Sequence, residues 1–283
     1  LFFAFDITPV NVPESSMYAY NQTILVVFFL SSIIVLITTK DFVSARNISK
    51  FEYDIIFSLV ILSAICLCFA DDFLLIYLTI ELQSLCFYVF ATFKRNSEFS
   101  TESGLKYFVF GAIISCLLLL GFSLIYTSFG TTSFESLICL SHTSEDSFLF
   151  CGVLFILIAF LFKVGAAPFH SWLCDVYDGA IISVTLLFAA APKIIIFSVM
   201  VKLFIVIFHD YSSFWVFFFL VASVLSIAIG SLSAIYQKRL KRLFAYSTIA
   251  HTGFILLGLV GASPESVKTL IFYIVIYSGL TLL

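Results

Sequence analysis

The sequence predicts an all-α, polytopic membrane protein built as a bundle of about nine transmembrane helices. Of its 283 residues, 62% are hydrophobic and 11% are charged, whereas a soluble domain is roughly one-quarter charged. The mean hydropathy is +1.16. The apolar residues form long runs separated by short polar gaps, and a run of about 20 apolar residues can cross a bilayer as a helix.

The first stretch of the chain differs from the rest. Residues 1–21 contain Asp6, Pro9, Pro13 and Glu14 and are too polar to span, so we expect a polar N-terminal surface segment there. Residues 22–283 are expected to form one transmembrane domain. Its predicted helices are 22–39, 53–70, 73–93, 104–128, 148–167, 180–207, 213–236, 243–262 and 266–283.

The polar gaps carry an asymmetric distribution of basic residues, which supports this helix count. Basic residues in gaps between helices concentrate on the cytoplasmic side of a membrane. We assign only two basic residues, Lys202 and Lys268, to the gaps that follow even-numbered helices. The gaps after odd-numbered helices, expected on the matrix side, carry the larger set: Lys40, Arg46, Lys50, Lys94, Arg95, Lys238, Arg239, Lys241 and Arg242.

Four charged residues lie inside the apolar runs, and these predict the function. They are Glu81, Lys106, Lys163 and Lys193, on four successive helices. A charge within the bilayer is costly and usually marks an ion or proton pathway. A carboxylate favours the protonated form of a neighbouring lysine, so Glu81 beside Lys163 would act as a switch. The alternatives are a static ion pair and, for Lys106 near its helix start, a side chain that extends to the interface.

Two features predict irregular helices beside these lysines. Pro192 precedes Lys193 within one run, and Gly165 and Pro168 follow Lys163 at the end of another. Proline removes a helical hydrogen bond. Interrupted helices next to buried charges are typical of transporters.

His251 is the fifth candidate for the proton relay. It lies within the run 243–262, and histidine titrates near neutral pH. A hydrogen-bonded histidine in the protein core is the alternative. We expect Glu81, Lys106, Lys163, Lys193 and His251 to form a polar, hydrated line near the middle of the membrane.

The sequence lacks the motifs that hold redox cofactors. It has no glycine-rich phosphate loop, haem ligand pair or iron–sulfur cysteine set. The seven cysteines lie mostly in apolar runs and are interpreted as small apolar residues. We therefore expect no cofactor and no metal on this chain.

Four stretches resemble a known family. They are Glu81–Tyr88 (ELQSLCFY), Ser97–Phe108 (SEFSTESGLKYF), Phe162–His170 (FKVGAAPFH) and Lys241–His251 (KRLFAYSTIAH). The chain from about residue 50 onward resembles the antiporter-like membrane subunits of mitochondrial NADH:ubiquinone oxidoreductase (respiratory complex I), and within them the subunit 2 group. The Tyr177–Thr185 stretch departs from the family pattern by lacking two prolines.

The resemblance implies a function and a set of partners. It implies a proton-translocating subunit in the inner mitochondrial membrane, with Glu81 and Lys163 as the family's coupled pair, Lys193 as its next central lysine and Lys106 as a further family lysine. NADH, FMN, iron–sulfur clusters and ubiquinone would be bound elsewhere in the complex. Expected partners are other membrane-arm subunits and lipids such as cardiolipin; no nucleic acid is expected.

The resemblance also implies that the chain is one part of a larger unit. A full-length family member forms two inverted repeats, and this chain matches its third through eleventh helices. We expect a second polypeptide to supply the remaining helices. A stand-alone cation/proton antiporter and a non-conducting scaffold subunit are the two alternative functions.

Overall fold

The protein is described here by a computed structural model that covers residues 14–45, 51–94, 96–140 and 147–282. Within these residues the chain is helical apart from short turns, and nine helices are long and apolar enough to cross a membrane. The predicted all-α, multi-pass fold is therefore confirmed. Arg46, Lys50, Arg95 and residues 1–13 lie outside the described residues.

The helices follow one another with short connections. The seven-residue π-helical segment Val201–Ile207 continues α8, and a 3₁₀ turn follows at His209–Tyr211. The α-helices are α1 Glu14–Ala45, α2 Phe51–Cys68, α3 Phe73–Ala91, α4 Glu98–Phe129, α5 Phe134–Leu140, α6 Ser147–Val164, α7 Ser171–Gly179, α8 Ile182–Met200, α9 Ser212–Ile235, α10 Leu240–Val260 and α11 Pro264–Leu282.

The structure differs from the sequence prediction at three places. Helix α1 begins at Glu14, so the second part of the predicted surface segment 1–21 is helical, and Tyr20 and Asn21 are buried. Helix α4 begins at Glu98 rather than at residue 104. The short helices α5 and α7 were not predicted, because neither is long or apolar enough to stand out as a membrane span.

Helix α8 occupies the centre of the bundle. The span Ile182–Ile207 is almost entirely buried, whereas most of the α9 span is exposed at the bundle surface. Helices α1, α2, α6 and α11 all pack against α8. A charged side chain on α8 therefore faces protein on every side and has no route to the lipid.

A close approach between two glycines sets the distance between α4 and α6. A Cβ atom on Gly121 would lie 3.0 Å from the Gly152 carbonyl oxygen, and one on Gly152 would lie 3.0 Å from the Gly121 carbonyl oxygen. Small residues allow transmembrane helices to pack backbone to backbone. This contact holds α6, which carries Lys163, against α4.

Candidate functional site

A cavity of about 40 Å³ lies between α3, α4, α6, α7 and α8, and it brings two of the predicted relay residues together. Lys163 and Lys193 both line it. The side chains that complete the wall are mostly apolar or aromatic: Ile80, Gln83, Ser84, Phe87, Tyr107, Phe160, Trp172, Leu173, Tyr177, Phe188, Pro192 and Ile196.

The local structure of α6 explains the position of Lys163. Gly165 has a φ of 74°, in the left-handed region. Its N–H donates to the Phe162 carbonyl at 2.9 Å, and the N–H of Ala166 donates to the Leu161 carbonyl at 2.9 Å. This pair of bonds is the usual glycine-based helix ending. Lys163 thus lies in the last turn of α6, where the helix dipole favours a cation.

Lys193 lies in the middle of α8, next to Pro192. Its side chain is only 4% exposed. Proline has no N–H, so Pro192 leaves the Phe188 carbonyl without its usual helical donor. Phe188, Pro192 and Lys193 all line the cavity. The polar groups that a helix normally satisfies internally are therefore open at this wall.

Three buried polar atoms at the cavity wall make no hydrogen bond to another described protein group. They are Lys193 Nζ, Gln83 Nε2 and Tyr177 Oη. Buried polar atoms nearly always have a partner, either protein or water. A cavity of 40 Å³ has room for about three water molecules. The chemistry of this cavity thus suits a short water chain between the two lysines.

Glu81 on α3 makes no direct ion pair with Lys163. It is partly buried, and its Oε2 accepts a 2.6 Å hydrogen bond from Ser115 Oγ on α4. Its carboxylate is near enough for its charge to act on Lys163. The structure therefore brings the expected pair into electrostatic range and fixes the carboxylate with a hydroxyl group.

His251 lies on the other side of α8, against α11. Its Nδ1 is 2.8 Å from Tyr273 Oη. Its ring centroid is 5.2 Å from that of Tyr277, and Lys193 Nζ lies 5.7 Å from the same Tyr277 ring. Lys193 and His251 therefore share one aromatic neighbour. His251, Tyr177 and Tyr277 also line a larger groove of about 490 Å³ between α8, α10 and α11.

Lys106 does not line the cavity. Its side chain is 43% exposed and makes ion pairs with Glu102 at 2.9 Å and Asp175 at 3.3 Å. This position matches the alternative prediction for Lys106, in which its side chain extends to the membrane interface. The structure therefore gathers Lys163, Lys193 and His251 around α8, holds Glu81 on α3 against α4, and leaves Lys106 at one end of the bundle.

Lys106 belongs to a charged cluster that holds the short helix α7. Asp178 accepts hydrogen bonds from Arg239 at 2.7 Å and from Arg242 at 2.9 Å. Arg242 also lies 3.6 Å from Asp175. The outer face of α7 is thus bound by cations of α4 and α10, while its inner face lines the cavity with Trp172, Leu173 and Tyr177.

Comparison with known proteins identifies the family to which this fold belongs. The family model described as NADH:quinone oxidoreductase/Mrp antiporter, transmembrane, matches residues 70–283. The chain belongs to this family.

Individual members of the NADH:quinone oxidoreductase/Mrp antiporter family match nearly the whole chain. It is 40% identical over 280 residues to NADH-ubiquinone oxidoreductase chain 2 of Marchantia polymorpha, covering 96% of this chain and 57% of the relative. It is 39% identical over 258 residues to NADH-quinone oxidoreductase subunit N 1 of Rhizobium meliloti, covering 91% and 54%. The chain thus spans about half the length of these relatives.

Solved structures of the NADH:quinone oxidoreductase/Mrp antiporter family share the fold. A chain of respiratory complex I from Thermus thermophilus superposes with a TM-score of 0.77 at 26% identity, covering 98% of this chain and 58% of that one. A chain of the Mrp complex from Dietzia has a TM-score of 0.81 at 21% identity, covering 94% and 49%. The latter supports the fold alone.

The assignment of Lys202 to a polar gap is wrong. We placed Lys202 in a polar gap, but the structure places it in the π-helical segment, where it is 3% exposed. The apolar run around it was the available signal. This family member therefore has another buried lysine beside the four charges that the sequence singled out.

Sequence reasoning also missed two polar groups at the cavity. Gln83 lies in the stretch Glu81–Tyr88, and a polar side chain inside an apolar run indicates a polar interior. Tyr177 lies on α7, a helix that was not predicted. Among the described residues, no three His, Cys, Asp or Glu side chains converge as a metal site.

Proposed function

We propose that this chain is a proton-translocating subunit of the membrane arm of respiratory complex I, located in the inner mitochondrial membrane. It would couple the transfer of electrons from NADH to ubiquinone, carried out by other subunits, to proton movement through its buried residues. The single observation that carries this proposal is the cavity that Lys163 and Lys193 share. The relatives named chain 2 and subunit N support the choice of complex.

The first step in the mechanism is a change in the proton occupancy of Lys163. A carboxylate favours the ammonium form of the lysine beside it. Movement of Glu81 relative to Lys163 changes that preference. The Ser115 hydroxyl, which holds Glu81 Oε2 at 2.6 Å, fixes the starting position of the carboxylate.

The second step moves one proton across the cavity. The Lys163 ammonium gives its proton to a cavity water, and the water chain delivers one proton to the neutral Lys193 amine. Lys163 becomes neutral as Lys193 becomes charged. Gln83 and Tyr177 orient the water, since proton transfer requires donor and acceptor within hydrogen-bond reach or bridged by one water.

Lys106 and His251 extend the relay at its two flanks. Lys106 is exposed and is bonded to Asp175 on α7, which suits a residue that receives protons at the surface. His251 shares Tyr277 with Lys193. In this proposal the five residues named from the sequence form one relay, with Lys106 as its entrance.

The redox groups of the complex would lie on other subunits. NADH, FMN, iron–sulfur clusters and ubiquinone bind elsewhere in the complex. The partners are the other membrane-arm subunits and lipids such as cardiolipin.

The test measures protons pumped per NADH oxidised in the assembled complex carrying Lys163→Met or Lys193→Met. A proton-transfer group contributes at least about a hundredfold to its step, so pumping is expected to fall by about tenfold or more while the subunit stays assembled. Lys238→Met, at an exposed position, is the matched control. Normal pumping in both buried variants would contradict the proposal.

A stand-alone cation/proton antiporter is the second candidate, because the fold also matches the Mrp complex. Affinity purification separates the two. A complex I subunit should migrate with a very large assembly that oxidises NADH. An antiporter subunit would migrate without NADH oxidation.

A further inference from the structure

Lys202 is a buried lysine that the relay described above does not use. It lies in the π-helical segment that extends α8 and is 3% exposed. Its Nζ donates a 2.5 Å hydrogen bond to the carbonyl oxygen of Cys68, the last residue of α2. Segments of π-helix are rare and frequently occur at functional sites.

The turn between α2 and α3 connects the environment of Lys202 with the bundle surface. Asp71 is exposed in the turn between α2 and α3, and its charge acts on Lys202. This turn contacts the start of α5, since the N–H of Phe134 donates to the Asp71 carbonyl at 3.0 Å. Lys202 is therefore a buried group whose hydrogen-bond partner, Cys68, is three residues from an exposed carboxylate.

This site lies at the opposite end of the bundle from Lys106. Helix α8 rises about 1.5 Å per residue, so Lys202 lies more than two turns beyond Lys193, away from α7. Helix α7 and the Lys106 cluster lie at the start of α8. A proton that enters near Lys106 and reaches Lys193 has Lys202 ahead of it on the same helix.

Buried polar groups lie on α8 and on the neighbouring helix α1 in this part of the bundle. Ser198 Oγ, which lies between Lys193 and Lys202 along the chain, and Asn21 Oδ1 on α1 are buried and bond to no other described protein group. The Tyr20 hydroxyl donates to the Ser198 carbonyl at 3.5 Å, and α1 packs directly on α8. Buried polar atoms that lack a protein partner usually bond to water.

We propose that Lys202 and Asp71 form the proton-release site of this chain. The Lys193 ammonium gives one proton, through water held by Ser198 and Asn21, to the neutral Lys202 amine. Lys202 then passes that proton to Asp71 or to surface water and becomes neutral again. The inference rests on the proposed function, and it goes beyond it by naming the exit.

A purely structural role for Lys202 makes a different prediction. A cation near the last carbonyl of a helix stabilises that helix end, so Lys202 could serve only as the cap of α2. Arginine keeps the charge and the hydrogen-bond donors but does not release its proton at physiological pH. Lys202→Arg therefore preserves a cap and removes a proton carrier.

The experiment compares Lys202→Arg and Lys202→Met in the assembled complex, with the Tm of the complex and the protons pumped per NADH as readouts. We expect both variants to pump at least about tenfold less, and only Lys202→Met to lower the Tm. Wild-type pumping by Lys202→Arg would overturn the proposal. Lys163→Met serves as the reference variant. If Lys163→Met also pumps normally, the result contradicts the proposed function itself and not only the role of Lys202.

A second pair of variants keeps the test decisive if Lys202→Arg does not assemble. Asp71→Asn removes the exposed carboxylate, and Asp72→Asn removes its exposed neighbour, whose charge is not among those acting on Lys202. Pumping is expected to fall severalfold in Asp71→Asn and to stay at the wild-type value in Asp72→Asn. Equal pumping by the two variants would overturn the proposal.

Discussion

Lys163 on α6 and Lys193 on α8 line one cavity, and no carboxylate among the described residues forms an ion pair with either lysine. A static structural ion pair needs opposite charges in contact. A cavity that separates two amines suits a relay instead, because water in it can carry a proton from one amine to the other.

The Tyr177 hydroxyl should support proton transfer between the two lysines. Tyr177→Phe removes one hydrogen-bonding group from the cavity, and a hydrogen bond contributes about 0.5–1.5 kcal/mol. Pumping per NADH is expected to fall by up to about tenfold. Tyr88→Phe is the matched control, because the Tyr88 hydroxyl is also buried without a described partner but does not line the cavity. Equal effects of the two variants would assign Tyr177 to packing.

The charge of Glu81, rather than its hydrogen bond, should control Lys163. Glu81→Gln keeps the shape and an acceptor for Ser115 Oγ but removes the charge, so pumping should fall about tenfold or more. Ser115→Ala removes only the hydrogen bond that orients the carboxylate. Its loss should be smaller, at most about tenfold. Reconstituted proton pumping measures both, and the reverse order would contradict the electrostatic switch.

The ion pairs on the outer face of α7 should keep that helix closed over the cavity. Cys174 on α7 is buried, and burial raises the pKa of its thiol to about 11. Thiolate is the reactive form, so alkylation of Cys174 by a maleimide should be slow at pH 8 and should rise with pH. Asp178→Asn removes the carboxylate that holds Arg239 and Arg242, and Cys174 labelling at pH 8 should then become severalfold faster.

Mass spectrometry of the alkylated complex gives the rate at each cysteine. Cys139, exposed on α5, should react equally in the wild type and in Asp178→Asn. Unchanged labelling of Cys174 in the variant would show that the ion pairs do not restrain α7.

The charged residues that hydropathy singles out within the membrane spans share one physical property. Glu81, Lys163 and Lys193 are charges inside long apolar runs, and such charges must face a polar interior whatever the helix packing. Hydropathy therefore finds them without a structure. The Gly165 and Pro192 irregularities could be predicted for the same reason, since backbone chemistry is local.

The features that the sequence alone leaves open or misses depend on packing between helices. Lys106 lies inside an apolar run, but only the position of α4 beside α7 shows that its side chain is exposed and paired. Lys202 lies close to the end of its run, where hydropathy cannot separate a buried lysine from an interfacial one. Tyr177 lies on α7, whose nine residues are too few for a membrane span.

The position of Lys106 fits two roles, a proton entrance and an anchor for α7. As a proton entrance it must release its proton, whereas as an anchor for α7 it needs only its charge. Lys106→Arg keeps a cation for Glu102 and Asp175 but does not deprotonate at physiological pH. We expect this variant to retain a wild-type rate of Cys174 alkylation and to lose pumping severalfold. Lys106→Met should lose pumping and should also raise the rate of Cys174 alkylation. An exposed ion pair contributes little to stability, so the change in alkylation should be small. Full pumping by Lys106→Arg would leave the anchor role and remove Lys106 from the relay.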